Sequence, residues 1–118
     1  MEIKWIQPAE IPKISRFDKY DVTIEKDTKT KTRLKIAIEN TVFDGIPINP
    51  RMMVGIADGR LYFKGSDTEG FSTTRTEFRT VFKIPMEHGA EKYIGEYVMH
   101  RGKDDLLFIK AEENGVEI

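Results

Sequence analysis

The stretch GIADGRLYFKG, residues 55–65, places two apolar runs on either side of an Asp-Gly pair. An Asp-Gly pair suits a type I′ turn, because both central residues of that turn need a positive φ. The register that this turn imposes sets Ile56 opposite Leu61 and Val54 opposite Phe63 on a shared face. The stretch therefore predicts a β-hairpin with one apolar face.

A second stretch, GKDDLLFIKA at residues 102–111, resembles the first one 46 positions later. A gapless shift by 46 aligns residues 28–64 with residues 74–110 and gives nine identities. The identical pairs are Thr28/Thr74, Thr30/Thr76, Arg33/Arg79, Ile38/Ile84, Ile48/Ile94, Met53/Met99, Asp58/Asp104, Leu61/Leu107 and Lys64/Lys110. The offset predicts a duplicated unit. The alternative is that two hairpins of similar length share residues that strands favour.

Both units alternate polar and apolar side chains in the stretches VTIEKDTKTKTRLKIAIEN and FSTTRTEFRTVFKI. This period of two predicts strands with one buried face. We expect a single mainly β domain over residues 1–118, barrel-like, with at most one or two short helices, one of them in PMEHGAEKYIG. Residues 1–27 form an N-terminal extension and first strand, residues 28–64 and 74–110 the two units of about 46 residues, and residues 111–118 a polar, frayed tail.

The second unit resembles the AbrB/MazE-type swapped-hairpin barrel. The family's strand ending in Ile-Pro-x-Glu is matched by Ile84, Pro85 and Glu87, its turn by Gly95-Glu96, and its hairpin by residues 98–109. The first unit fits through Gly45-Ile46, Asn49-Pro50-Arg51 and the Asp-Gly hairpin. In that family two units interlock into one barrel, usually as a DNA-binding homodimer. The resemblance implies that a chain with both units forms the barrel alone.

The bulk composition excludes several classes of protein. The 118 residues include no cysteine and carry a formal net charge of −1, so thiolate metal sites and general affinity for polyanions are not expected. No apolar run is long enough for a membrane span, and the start MEIKWIQPAE does not resemble a signal peptide. We expect a cytoplasmic protein with no membrane association.

Catalytic and metal-binding patterns are weak. The chain has no Gly-x-Ser-x-Gly elbow and no phosphate-binding glycine loop. His88, Glu91 and His100 form the one set with zinc-ligand character, but surface positions explain them better. We expect no enzymatic activity, no cofactor and no metal.

Cations recur on alternate residues in KDTKTKTRLKI. Lys29, Lys31, Arg33 and Lys35 would share one strand face, and Arg75, Arg79 and Lys83 stand in the second unit. Two basic strands related by a pseudo-two-fold axis could bind the phosphates of duplex DNA. The alternative is an edge strand that uses lysine to prevent aggregation.

Two functional hypotheses follow. The first is a small DNA-binding regulatory protein that docks through these seven cations, with Arg33 and Arg79 in equivalent roles. The second is a non-enzymatic interaction or assembly module, of the kind found in mobile elements, whose sheet edges pair with a protein partner or another copy.

Aromatic residues could also contact a ligand. Tyr62 is predicted to face away from Phe63 and opposite Gly55, which makes it the best candidate for an exposed contact. Phe63 and Phe108 are predicted to lie in the core, and Trp5 is predicted to anchor the N-terminal segment to the barrel.

Overall fold

The computed structural model describes residues 20–30, 32–46 and 49–115, and the prediction of a mainly β, barrel-like domain is confirmed. Trp5 and the N-terminal extension before Tyr20 lie outside these residues. The strands are β1 (Val22–Lys26), β2 (Arg33–Glu39), β3 (Arg51–Ala57), β4 (Arg60–Ser66), β5 (Phe71–Ser72), β6 (Thr74–Arg75), β7 (Arg79–Pro85), β8 (Gly95–Tyr97), β9 (His100–Arg101) and β10 (Leu107–Lys110).

The strands form two five-stranded antiparallel sheets. Sheet A has the order β6-β7-β2-β1-β8, and sheet B has the order β5-β3-β4-β10-β9. Only Thr73 separates β5 from β6, and only Val98 and Met99 separate β8 from β9, so the chain joins the two sheets at both edges. The result is a barrel-like wall around one core. Strands β1, β2 and β7 contribute even-numbered residues such as Ile24 and Ile36, and β4 and β10 contribute odd-numbered residues such as Leu61. Met52 on β3 and Tyr97 on β8 also lie in this core.

Two ladders connect the first repeated unit to the second, and their registers follow the offset of 46. In the β2/β7 ladder Ile36 lies opposite Phe82, and in the β4/β10 ladder Tyr62 lies opposite Phe108. Both pairs are 46 residues apart, so exchanging the two units maps each ladder onto itself. The sequence repeat is therefore matched by a two-fold relation in the strand pairing of these ladders.

The predicted long strands are interrupted at matching places. Residues 27–30 leave the strand for a loop, because the Asp27 carboxylate accepts the Lys29 N–H at 3.2 Å and the Thr30 hydroxyl at 2.8 Å. Such Asp side-chain bonds to the backbone two residues on stabilise turns over strands. In the second unit, residues 76–78 form the turn that leads into β7. The alternation predicted from Val22 to Asn40 therefore does not form one continuous strand, since β1 ends at Lys26 and β2 begins at Arg33.

The Asp-Gly hairpin is confirmed. Asp58 and Gly59 have φ values of 49° and 73°, and the predicted pairs Ile56/Leu61 and Val54/Phe63 are present. The second hairpin also turns on two residues of positive φ, Asp104 and Asp105. There the Leu106 carbonyl accepts the Gly102 N–H and the Leu106 N–H donates to the Lys103 carbonyl, so the turn is bulged.

Helical structure in the described residues is limited to short 3-10 turns. One covers Asn40–Phe43, and another covers Ala90–Tyr93 within the predicted short helix. No helix among residues 20–30, 32–46 and 49–115 is long and apolar enough to cross a membrane.

The C-terminal segment is more ordered than the expectation of a frayed tail. The Asn114 side chain accepts the Glu96 N–H and donates to the Ile94 carbonyl, and the Gly115 N–H donates to the Glu96 carbonyl. That expectation is wrong as far as Gly115, because these bonds tie the tail to β8.

Candidate nucleic-acid interface

The strands β2 and β7 position most of the predicted basic residues. Side chains alternate across a strand, and the even-numbered residues of both strands point into the core. Arg33 and Lys35 on β2, and Arg79 and Lys83 on β7, therefore share the outer face of sheet A, which we call the cationic face. Lys35 lies directly opposite Lys83 in the ladder.

The other three predicted cations do not join this face. Lys29 lies in the loop between β1 and β2, and it is exposed at the end of the sheet. Arg75 pairs with Thr80, whose side chain is buried, so Arg75 lies on the inner side and its guanidinium covers the Phe43 ring at 5.2 Å. Lys31 lies outside the described residues.

Carboxylates are interleaved with the cationic face. Lys83 forms an ion pair with Asp27 at 3.1 Å, Arg79 with Glu39 at 3.1 Å, and Lys35 approaches Glu25 at 4.0 Å. The face thus carries four cations against three carboxylates. The hydrogen bond from the Thr30 hydroxyl, then that from the Lys29 N–H, then the Lys83 ammonium hold the pKa of Asp27 well below its ordinary value.

Arg33 and Arg79 occupy equivalent positions with different surroundings. Each is the first residue of its strand, and each donates its backbone N–H to a threonine three residues earlier. Arg33 donates to the Thr30 carbonyl, and Arg79 donates to the Thr76 hydroxyl. The two threonines are themselves 46 residues apart. However, Arg33 lies opposite Pro85, whereas Arg79 lies opposite its carboxylate partner Glu39. Arg33 is exposed and is in no ion pair with the described residues.

A cleft of about 470 Å³ lies beside the cationic face. Arg33 and Lys83 contribute its two cations, and Ser72 and Thr74 contribute hydroxyl groups. None of the described residues that line it is a carboxylate. Two cations and two hydroxyls are the donors that a phosphate group accepts hydrogen bonds from.

The interpretation of the lysine-bearing strand as a protected sheet edge is wrong. Strand β2 pairs with β1 along one side and with β7 along the other, so it lies in the interior of sheet A. Lys35, the one lysine of β2, therefore cannot be explained as edge protection, whereas Lys29 lies in the preceding loop and Lys31 lies outside the described residues. The edge strands of both sheets are two or three residues long.

The two histidines belong to different parts of the fold and do not form a common site. His88 has a positive φ in the turn before the 3-10 segment Ala90–Tyr93, so it does not share a helix face with Glu91. His100 lies on β9 of sheet B, and its ring hydrogen-bonds the Glu113 carboxylate. Among the described residues, no three His, Cys, Asp or Glu side chains are arranged to hold a metal ion.

A second candidate surface lies on the outer face of sheet B. Phe63 is buried as predicted and Tyr62 is half-buried opposite Gly55, but the core placement of Phe108 is wrong. Phe108 lies between the buried residues Leu107 and Ile109, so the alternation turns it outward. The same alternation is present in the sequence, but the prediction for Phe108 followed the tendency of aromatic residues to lie in the core.

No protein-family model, no curated protein and no solved structure matches this chain.

Proposed function

We propose that this chain is a small, non-enzymatic DNA-binding regulatory protein that docks on the phosphate backbone through its cationic face. The observation that carries the proposal is the cleft beside Arg33 and Lys83, which is lined by no carboxylate among the described residues. The resemblance to AbrB/MazE-type barrels, whose paired units bind DNA, agrees with it. Arg33 and Lys29, which lie at the same end of sheet A, supply cations without an ion-pair partner among the described residues.

The ion pairs of this face limit the strength of binding. On binding DNA, three of its cations must exchange a carboxylate partner for a phosphate, namely Lys83, Arg79 and Lys35. Each such exchange contributes little to the free energy of binding, because exposed ion pairs are weak in water. We therefore expect weak, sequence-tolerant binding with a log–log salt slope of about −2 to −3, since each neutralised phosphate contributes about −0.9.

The test is binding of duplex DNA at two or more salt concentrations, measured by fluorescence anisotropy. The Arg33→Ala variant should bind more weakly and should reduce the slope by about one unit. The matched control is Lys92→Ala, which removes an exposed lysine from the 3-10 turn Ala90–Tyr93, outside the two strands that carry the face. Absence of duplex binding by the unchanged protein at low salt would exclude the proposal.

A second candidate function is protein interaction through β3. On the side away from β4, β3 pairs within the described chain only at Arg51 and Met52, with β5. Residues 53–57 carry no charge and no proline, which leaves an unprotected strand edge. Val54 and Ile56 also line an adjacent cleft of about 210 Å³.

Such an edge accepts an extended segment by strand addition, and another copy of the chain is the simplest partner to test. Solution mass measured over a range of concentrations should rise, and Ile56→Lys should abolish the rise. A constant mass would remove self-association as a function of this edge.

A further inference from the structure

The outer face of sheet B carries a row of rings that the duplex-docking proposal does not use. Tyr62 on β4 lies directly opposite Phe108 on β10, and their ring centroids are 5.7 Å apart. His100 on β9 lies opposite Phe108 on its other side and stacks on it, with centroids 5.1 Å apart and planes at 17°. Three neighbouring strands thus present three rings side by side.

One flank of this row is open. Gly55 on β3 lies opposite Tyr62, and a Cβ built at Gly55 would meet no atom of the described residues within 4 Å. A planar group of the size of a nucleobase can therefore approach Tyr62 from the β3 side. A nucleobase of any type could stack against the Tyr62 ring, because every base has a π-face.

Cations surround the rings. The Arg60 guanidinium lies 4.8 Å from the Phe108 ring centroid. Lys64 and Lys110, which are 46 residues apart, lie diagonally across the Tyr62/Phe108 pair, and neither is in an ion pair within the described chain. Carboxylates are interleaved with these cations. Glu113 hydrogen-bonds the His100 ring, and this bond, followed by the charges of Lys110 and Arg60, lowers the pKa of Glu113. Asp58 and Glu112 share a small cleft with Arg60 and Lys110.

We propose that this surface binds single-stranded nucleic acid, with a base stacked beside Tyr62 over Gly55 and the backbone phosphates near Lys64 and Lys110. Aromatic rings on a sheet face, flanked by lysine and arginine, are the groups with which sheet proteins bind unpaired strands. The nearby carboxylates make stacking the larger contribution, so the salt dependence is shallow. The surface is separate from the cationic face of sheet A.

The experiment measures anisotropy of a labelled short oligothymidylate against the full chain, with matched duplex as the comparison. Tyr62→Ala should weaken oligothymidylate binding about ten-fold or more, whereas Tyr62→Phe should retain it, since stacking uses the ring and not the hydroxyl. Lys64→Ala should reduce the salt slope by about 0.7, the value per phosphate for single strands.

A second variant guards against loss of folding in Tyr62→Ala. Gly55→Leu removes no side chain and places a bulky group in the open space beside Tyr62. It should therefore block oligothymidylate binding while the free energy of unfolding stays unchanged. Phe78→Ala is the matched aromatic control, because Phe78 is 68% exposed in the turn before β7.

The outcomes separate the two surfaces. Arg33→Ala should weaken duplex binding and leave oligothymidylate binding unchanged. Tyr62→Ala should weaken oligothymidylate binding and leave duplex binding unchanged. The proposal is overturned if oligothymidylate does not bind, if Phe78→Ala weakens it as much as Tyr62→Ala does, or if both Tyr62→Ala and Gly55→Leu bind it normally.

Discussion

The Phe63 ring on β4 meets the Phe82 ring on β7 edge to face, with centroids 6.1 Å apart and planes at 75°. Phe63 belongs to sheet B and Phe82 to sheet A, and both side chains are buried. This contact therefore joins the two sheets across the core of the barrel.

Replacing either ring tests that contact. Phe63→Leu and Phe82→Leu should each lower the free energy of unfolding by about 1–2 kcal/mol through lost packing. The double mutant should show a coupling of about 0.5–1.5 kcal/mol, the range for aromatic pairs. Urea unfolding measures all three values. Strict additivity would show that the rings do not stabilise one another, and Phe78→Ala, in an exposed turn, should change stability by less than about 0.5 kcal/mol.

The two equivalent arginines should respond differently to removal. Arg33→Ala should weaken duplex binding and leave stability nearly unchanged. Arg79→Ala should mainly affect stability, by up to about 1 kcal/mol, because it removes an ion pair with the partly exposed Glu39. Anisotropy at several salt concentrations and urea unfolding of both variants provide the comparison. Equal losses of DNA affinity at the two positions would contradict this assignment.

Asp27 should make stability depend on pH in the acid range. Its pKa is lowered in the folded chain, so its contribution is present above the unfolded value, about pH 4, and is lost as the pH falls below it. Asp27→Asn should therefore be less stable than the unchanged protein at pH 7, and the difference should shrink as the pH falls to 3. Urea unfolding at several pH values measures this.

The control for Asp27 is Glu25→Gln, on the same face. Glu25 is exposed and lies 4.0 Å from Lys35, so its removal should change stability by less than about 0.5 kcal/mol at any pH. If the two variants behave alike, the hydrogen bonds of Asp27 do not hold the loop.

Tyr97 buries a hydroxyl without a hydrogen-bond partner in the described chain. Tyr97→Phe should leave the free energy of unfolding unchanged or raise it by about 1 kcal/mol, because it removes an unsatisfied polar atom. Thr80→Val is the matched control: its buried hydroxyl donates to Asn40 at 2.7 Å, so its loss should cost about 1 kcal/mol. A clear destabilisation by Tyr97→Phe would reveal a partner for the hydroxyl.

Tyr97 also predicts a loss of stability at high pH. Burial raises its pKa to about 12, so the phenol stays neutral in the folded chain while the unfolded chain ionises near pH 10. Stability should fall as the pH rises above 10, and Tyr97→Phe should reduce that fall.

The sequence predicts the local features of the fold better than its closure. The Asp-Gly turn and the alternation around Ile36 depend on neighbouring residues, and both are confirmed. The break before β2 depends on one side chain, Asp27, whose bonds compete with strand pairing. The pairing of β1 with β8 depends on residues far apart in the chain, which no periodicity encodes.

The candidate interface was predictable only in part. Alternation places Arg33, Lys35, Arg79 and Lys83 on one face, but it does not show which carboxylates come near them. Glu39 and Arg79 meet only because β2 pairs with β7. The outward position of Phe108 follows from its neighbours Leu107 and Ile109, so strict use of the strand period would have found it.

The closing of the barrel by pairs of distant strands has a kinetic consequence. Val22 pairs with Tyr97, 75 residues later, and every bond of the β2/β7 and β4/β10 ladders joins the first repeated unit to the second. During synthesis, β2 and β4 emerge long before β7 and β10, so each waits with one side unpaired. Formation of the native barrel must close long loops before it gains these contacts, which places folding in the slow range of milliseconds to about a second. In that interval the nascent half-barrel is open to the strands of a neighbouring chain.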